Sequence, residues 1–381
     1  MKTASRFLTR WKPANLLRPL VIPLLAVFTA LVIGAVLILL STGDPFKVVQ
    51  AYWGLLLGSL GSTKAISETI VWATPYIFAG LAVALAFKCG LFNIGAEGQL
   101  LVGSLTSVWV AYALPPLLGF DLPAILHIPL CFAAGIAGGL VWGAIPGFLK
   151  AQTGGHEVIN TIMLNYIALL LTNFLLAGPM MDKSPTNAVA QTPMIALSAR
   201  LPRLIPWDPN LRVHWGCILA IFVAVGVWWF LYKTTWGFEI RTVGANPNAA
   251  KYAGISVGRN IVLAMALSGA LAGLAGTVEV IGLNYYHTPG FSAGYGFDSI
   301  AIALLGKTHP LGIIPAAFLF GAMRNGATEM QFLTQMPVDI ISVIQSLILL
   351  FVAAPEIVRL IYRLRPPTEE EQLVLARGWG G

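Results

Sequence analysis

Residues Gly90–Gly103 read GLFNIGAEGQLLVG. Asn93, Glu97 and Gln99 stand there among glycines, inside a run long and apolar enough to cross a bilayer. A charged side chain at the bilayer centre costs at least about 2.5–3.5 kcal/mol on insertion scales, so such groups face a bundle interior or a water-filled path. Gly90, Gly95 and Gly98 weaken helix continuity and let backbones approach closely. Glu97 lies four residues beyond Asn93, which puts both on one helix face. Two compatible readings follow. The polar groups line a route for solute, or Glu97 takes backbone amides at a helix break and braces two helices.

The rest of the chain supports a membrane setting. Of 381 residues, 57% are hydrophobic and 10% charged, against about 25% charged in soluble domains. No long polar linker separates domains. The net charge of +7 comes from cations in short segments between apolar runs, with no basic stripe interleaved with aromatics. It reads as a topology signal, not as a nucleic-acid footprint. Cys89, Cys131 and Cys217 form no CxxC, CxxH or HExxH pattern, so neither a disulfide framework nor a metal site is expected. The five histidines are scattered and read as loop or interface residues.

A spanning helix needs about 20 apolar residues. The candidates are 19–41, 65–87, 92–113, 123–148, 158–178, 214–233, 260–282, 296–306, 310–323 and 338–358. The expected fold is therefore an all-α polytopic membrane protein of about ten transmembrane or half-transmembrane helices. The eighth and ninth are short and separated by Lys307–Pro310, which reads as two half-length elements or one broken span. The run from Pro19 to Leu40 lacks an A-x-A cleavage pattern and is too long for a signal-peptide core, so it reads as a retained span. Lys88, Lys150, Lys233, Arg241, Lys251, Arg259, Lys307, Arg359, Arg363 and Arg365 fall on one side when both termini are cytoplasmic. The domain reading is a basic tail 1–18, a transmembrane body 19–360 and a tail 361–381. The loop 179–213 is external and cap-like, and the loop 234–259 is cytoplasmic.

Five further stretches bear on function. Gly294–Gly306, GYGFDSIAIALLG, also opens with glycines and carries an acid, Asp298, and the pair reads as a candidate internal repeat. In Gly154–Asn165, GGHEVINTIMLN, the polar residues Glu157, Asn160 and Asn165 read either as helix capping and interhelical bonding or as path contacts. Glu279, inside AGTVEVIG, is another intramembrane acid. In loop 234–259, Asn246 reads as an N-cap with Pro247 at the first helical position, helix through Tyr252 and a stop at Gly254. Such a helix suits either a docking element or an ordinary loop. Ala301–Thr308, AIALLGKT, matches a phosphate-binding loop only at its last three positions and follows no strand. It is read as no nucleotide site, so any motor belongs to another polypeptide.

The stretches GLFNIGAEGQLLVGS, GGHEVINTIMLNYIA, and IRTVGANPNAAKYAGISVGR with LSGALAGLAG resemble the permease subunits of ABC importers. The branch is the one holding branched-chain amino-acid, ribose-type sugar and nucleoside permeases, and the resemblance extends over roughly 65–350. NIGAEGQ together with EVIxTIMLNY is similar to the longer of the two permeases in bacterial nucleoside importers. The resemblance implies a subunit without catalysis or cofactor, in a bacterial inner membrane. It works beside two ATPase subunits that bind the ATP, a second permease and an extracytoplasmic binding protein. It also implies that Gly244, Ala245, Asn246, Pro247, Asn248, Ala249, Ala250, Lys251, Tyr252, Ala253, Gly254 and Ile255 form the ATPase-docking stretch. Asn93, Glu97 and Gln99 become path-adjacent, with Asn160, Asn165, Glu279 and Asp298 as further path candidates. The competing reading is an ion-coupled secondary transporter using Glu97 or Asp298.

Overall fold

The structure is a computed structural model, which describes residues 13–184, 189–292 and 294–364. The acidic segment Thr368–Gln372, most of the basic N-terminal tail and Arg365 lie outside the described residues. Among the described residues there are fourteen α-helices and no β-strand. In chain order they are α1 (Pro13–Thr42), α2 (Pro45–Leu60), α3 (Thr63–Lys88), α4 (Ala96–Leu118), α5 (Ala124–Thr153), α6 (Glu157–Ala177) and α7 (Gly216–Lys233). There follow α8 (Thr235–Ala245), α9 (Pro247–Tyr252), α10 (Val257–Glu279), α11 (Tyr295–Leu305), α12 (Pro310–Thr334), α13 (Asp339–Ala353) and α14 (Pro355–Ile361).

Local chemistry sets many of these boundaries. Asp44 accepts from the Phe46 N–H at 2.8 Å with Pro45 at the first position of α2. Ser62 accepts from Ala65 at the start of α3, and Thr234 from Gly237 at the start of α8. These side chains satisfy backbone donors that a helix start leaves free. Gly119 and Gly154 end α4 and α5 in the left-handed conformation, as helix-terminating glycines do.

Seven helices are long and apolar enough to cross a membrane: α1, α3, α4, α5, α6, α7 and α10 with its continuation to Asn284. The short α11, the 25-residue α12 and the bent pair α13–α14 complete the ten expected segments. The ambiguity over 296–323 disappears. The half-length element is α11 alone, whereas α12 continues eleven residues past the expected end at 323. Arg324, Asn325 and Glu329 lie in that continuation and break its apolar pattern. The expected span 338–358 turns by 91° between α13 and α14. Beyond that bend the Tyr362 hydroxyl sits 3.0 Å from the Thr29 hydroxyl of α1.

The helix α2 was not expected. At 16 residues it is too short to register as a span. Its Gly54 and Gly58 pack against the α12 backbone at Met330 and Gly326, while Phe46, Val49 and Trp53 face outward.

The centre of the bundle is built around α3 and α10, the most enclosed of the long apolar helices. Gly135, Gly139 and Gly143 on α5 meet Gly269 and Gly273 on α10 backbone to backbone, and a Cβ on Gly139 would run into the Gly269 carbonyl. Small residues at four-residue spacing allow this approach in membrane helix pairs.

Segment 178–215, described at 178–184 and 189–215, folds across one end of the bundle. Its backbone N–H groups at Thr192, Ile195 and Leu201 donate to the carbonyls of His287, Tyr285 and Ile281, and Ala196 donates to Ala111. Arg212 forms a bidentate pair with Glu68 at the start of α3, Nε to Oε1 at 2.8 Å. The Glu68 carboxylate raises the already high pKa of Arg212. The opposite end carries α8, α9 and the turns at Lys88–Gly90, Thr153–His156 and Gly306–His309, where Tyr232 stacks on His309.

Gly139→Leu is expected to force α5 from α10 at a cost of about 1–3 kcal/mol or more. In thermal unfolding of the detergent-purified protein it should lower the melting temperature well below that of a substitution at Gly226, which has open space around it.

Candidate translocation site

The stretch from Cys89 to Gly95 leaves the turn at one end of the bundle and leads without helix from α3 into α4. Backbone polar groups there must be met by protein, because lipid offers no partners. Asn93 meets several. Its Oδ1 accepts from the Gly95 N–H at 3.0 Å and from Gln99 Nε2 at 3.1 Å. Its Nδ2 donates to Gln99 Oε1 at 2.8 Å and to Ser268 Oγ at 2.7 Å. Ser268 in turn donates to the Ala82 carbonyl of α3. Asn165 on α6 closes the other side, accepting from the Gly98 N–H at 2.8 Å and donating to the Ile94 carbonyl at 2.9 Å. Three buried amide side chains thus tie the break to α3, α4, α6 and α10.

Glu97 opens α4 and points across to the second break, residues 285–294. It accepts from Ser292 Oγ and from the Gly296 N–H at 2.7 Å, and the Gly294 N–H also serves it. Gly294 has φ +86°, a conformation that lets successive N–H groups converge on an anion. An acid at a helix N-terminus gains from the unsatisfied donors and from the macrodipole. The starts of α4 and α11 therefore meet head to head through one carboxylate.

Asp298 sits in the first turn of α11 and accepts from the Tyr76 hydroxyl at 2.6 Å. Around it lies a cluster that the sequence reading missed. Tyr76 meets Tyr295 edge-on at 4.9 Å and Phe320 at 6.2 Å. Trp72 lies 5.9 Å from Tyr295, and the Arg324 guanidinium lies 5.9 Å above the Trp72 ring. The Arg324 charge also acts on Asp298. Trp72, Asp298 and Arg324 are half-buried, and Tyr76 and Tyr295 are buried. An arginine inside an expected membrane helix was the available signal, but Arg324 fell beyond the boundary drawn at 323.

Other candidate residues lie elsewhere. Glu279 is buried near the end of α10, with Asn284 Nδ2 donating to it at 3.4 Å. Asn160 is half-buried on α6 near Gly155 and makes none of the bonds of the amide brace. Glu157 pairs with Lys150 at 2.9 Å across the α5–α6 turn and takes the Phe92 N–H.

Within 234–259 the piece from Asn246 to Gly254 folds as the residue pattern predicts, but the helix α8 before it was not expected. Asn246 Oδ1 accepts from Asn248 and Ala249 at 2.9 and 3.0 Å, Pro247 opens α9, and Gly254 stops it with φ +80°. Asn248, Ala249, Lys251 and Tyr252 are exposed, Tyr252 at 97%. Just upstream, Gly244 lies against Lys88–Gly90 so closely that a Cβ would strike the Lys88 carbonyl. Asn260 ties α8 to α10 by donating to Glu239 at 3.0 Å. The GKT triplet closes α11 instead of opening a helix, with Lys307 and Thr308 at φ +53° and +51°. Among the described residues the three cysteines are free, and no group of three or more His, Cys, Asp or Glu is arranged to hold a metal.

Asn93→Ala is expected to strand the Gly95 N–H, Gln99 and Ser268 and to cost about 1–3 kcal/mol per buried group left unpaired. Thermal unfolding in detergent should show the loss. Glu97→Gln keeps an acceptor for Gly296 and should retain more stability than Glu97→Ala.

The chain is 42% identical over 344 residues to the guanosine ABC transporter permease protein NupP of Bacillus subtilis strain 168, covering 90% of this chain and 95% of that one. It is 38% identical over 352 residues to the nucleoside ABC transporter permease protein NupB of Lactococcus lactis, covering 91% and 94%. A glucose ABC transporter permease of Haloferax volcanii is 35% identical over 341 residues, covering 88% and 87%. No solved structure matches the chain. A family model described as the branched-chain amino acid transport system permease component matches residues 65–353, and the chain is a member of that permease family.

Proposed function

We propose that this permease forms, with a second and different permease, the membrane path of an ATP-driven importer for nucleosides. Two relatives are named for guanosine and nucleosides and one for glucose, which supports a neutral, hydroxylated solute. Two ATPase subunits seat on α9 and bind the ATP. An extracytoplasmic binding protein delivers solute to the end covered by 178–215, and both termini are cytoplasmic in a bacterial inner membrane. The cation-rich turns Lys88, Lys150, Lys233 and Lys307 at the α9 end support that orientation.

The observation that carries the mechanism is the backbone contact of Gly244 with Lys88–Gly90. It joins the exposed docking helix to the first break with no side chain between them to absorb motion. Closure of the ATPases displaces α9, and Gly244 passes the displacement to the stretch that holds Asn93. Asn93, Gln99 and Asn165 keep that stretch in one piece, so it turns as a unit and carries Glu97 with it. Glu97 then shifts the start of α11, and the path alternates between its outward and inward openings. The paired breaks, each opening a helix with an acid in its first turn, support two related halves in the chain. Glu97 spends its oxygens on Ser292, Gly294 and Gly296, an engagement that suits a brace more than an ion site.

Replacing Asn248–Lys251 with glycines is expected to abolish ATP-driven uptake in proteoliposomes that contain every subunit, and to disconnect ATP hydrolysis from substrate. Uptake and coupling that both survive would remove the docking role. Gly244→Val should lower coupled uptake while leaving the exposed face of α9 intact for ATPase binding, as read by co-purification.

A further inference from the structure

The cluster on α3, α11 and α12 is level with the middle of α3, where Tyr76 bonds Asp298. Asp298 and Arg324 are only half-buried there. Charged groups at such depth do not face lipid, so this face opens onto water or onto another protein surface. Among the described residues, the hydrogen bond to the Asp298 carboxylate comes from Tyr76 and reaches Oδ2, which leaves Oδ1 with acceptor capacity on a half-buried residue. One acid and one base stand side by side, so the face has no strong net charge and favours a neutral ligand over an ion. Trp72 offers a half-exposed ring, held by Tyr295 at 5.9 Å, and Tyr295 is fixed edge-on by Tyr76 at 4.9 Å. A rigid ring face beside a carboxylate acceptor and a planar guanidinium donor matches a heterocycle joined to a polyol.

We propose that Trp72, Asp298 and Arg324 form a contact site for a nucleoside in transit, with the base stacked on Trp72 and the ribose hydroxyls donating to Asp298. This deepens the importer reading and rests on it. Asp298 lies in the same first turn of α11 as Gly296, the residue that donates to Glu97. A ligand drawn to Asp298 therefore bears on the junction of the two breaks.

The test uses the complete importer, with both permeases, the ATPases and the binding protein, in proteoliposomes with labelled guanosine, uridine and glucose. Uptake is measured at saturating loaded binding protein. Trp72→Ala is expected to lower guanosine and uridine uptake on the order of tenfold, as loss of one stacked base does, and Trp72→Phe to restore most of it. Asp298→Asn is expected to lower uptake of both nucleosides. Size-exclusion chromatography of each variant complex reports assembly. Nucleoside uptake at the wild-type rate in Trp72→Ala and Asp298→Asn would overturn the site. Dissociation of the two permeases in both variants would overturn it too, by making this face a subunit contact. If the wild-type importer moves glucose with ATP but neither nucleoside, the importer reading stands and the nucleoside assignment fails. If it moves none of the three with ATP, the importer reading itself fails.

Discussion

A helix that starts halfway through a bilayer exposes backbone N–H groups where no water can reach them. The Glu97 carboxylate answers that need at the start of α11, and much of the central architecture follows from its placement. For Glu97 to reach Gly296, α4 must itself begin at depth, which requires the break at 89–95. For that break to be tolerated, its own backbone must be met, and Asn93, Asn165 and Ser268 meet it. The polar residues quoted at the outset are thus first of all the internal solvent of two interrupted helices. The aromatic and charged face lies one side chain away from them, through Asp298 and Tyr76.

Much of this was legible in the residues because membrane burial writes itself in composition. The ten apolar segments all recur as helices or bent helices, and the Asn-Pro start and glycine stop of α9 follow from capping chemistry alone. What escaped notice has physical reasons. The helix α2 packs its glycines on α12 without spanning, so no length rule detects it. The continuation of α12 is polar because it faces α2, α3 and the Trp72 cluster instead of lipid, which a hydropathy boundary reads as a helix end. Asn325 shows this directly, its Nδ2 donating to the carbonyls of Gly58 and Ala65. Trp72 and Tyr76 looked like ordinary residues of an apolar helix. Only the fold brings them to Asp298 and Arg324. The same limit applies to Asn160 and Asn165, five residues apart and equal in sequence, of which the fold draws only Asn165 into the brace.

The two ends of the bundle are built differently. At one, a long segment is stitched to the chain by backbone bonds to Ile281, Tyr285 and His287 and by the Glu68–Arg212 pair. At the other, short turns lie close together and the exposed α9 projects from them. One end is crossed by its own chain, and the other carries an exposed short helix.

The glycine seam between α5 and α10 has a mechanical corollary. Where Gly139 meets Gly269 and Gly135 meets Gly273, each backbone occupies the notch of its neighbour. Sliding either helix by a residue would drive side chains of the adjacent positions onto carbonyls. These two helices are therefore locked against sliding past one another, as one rigid unit, whereas α11 and the stretch before α4 are held by side chains and hydrogen bonds.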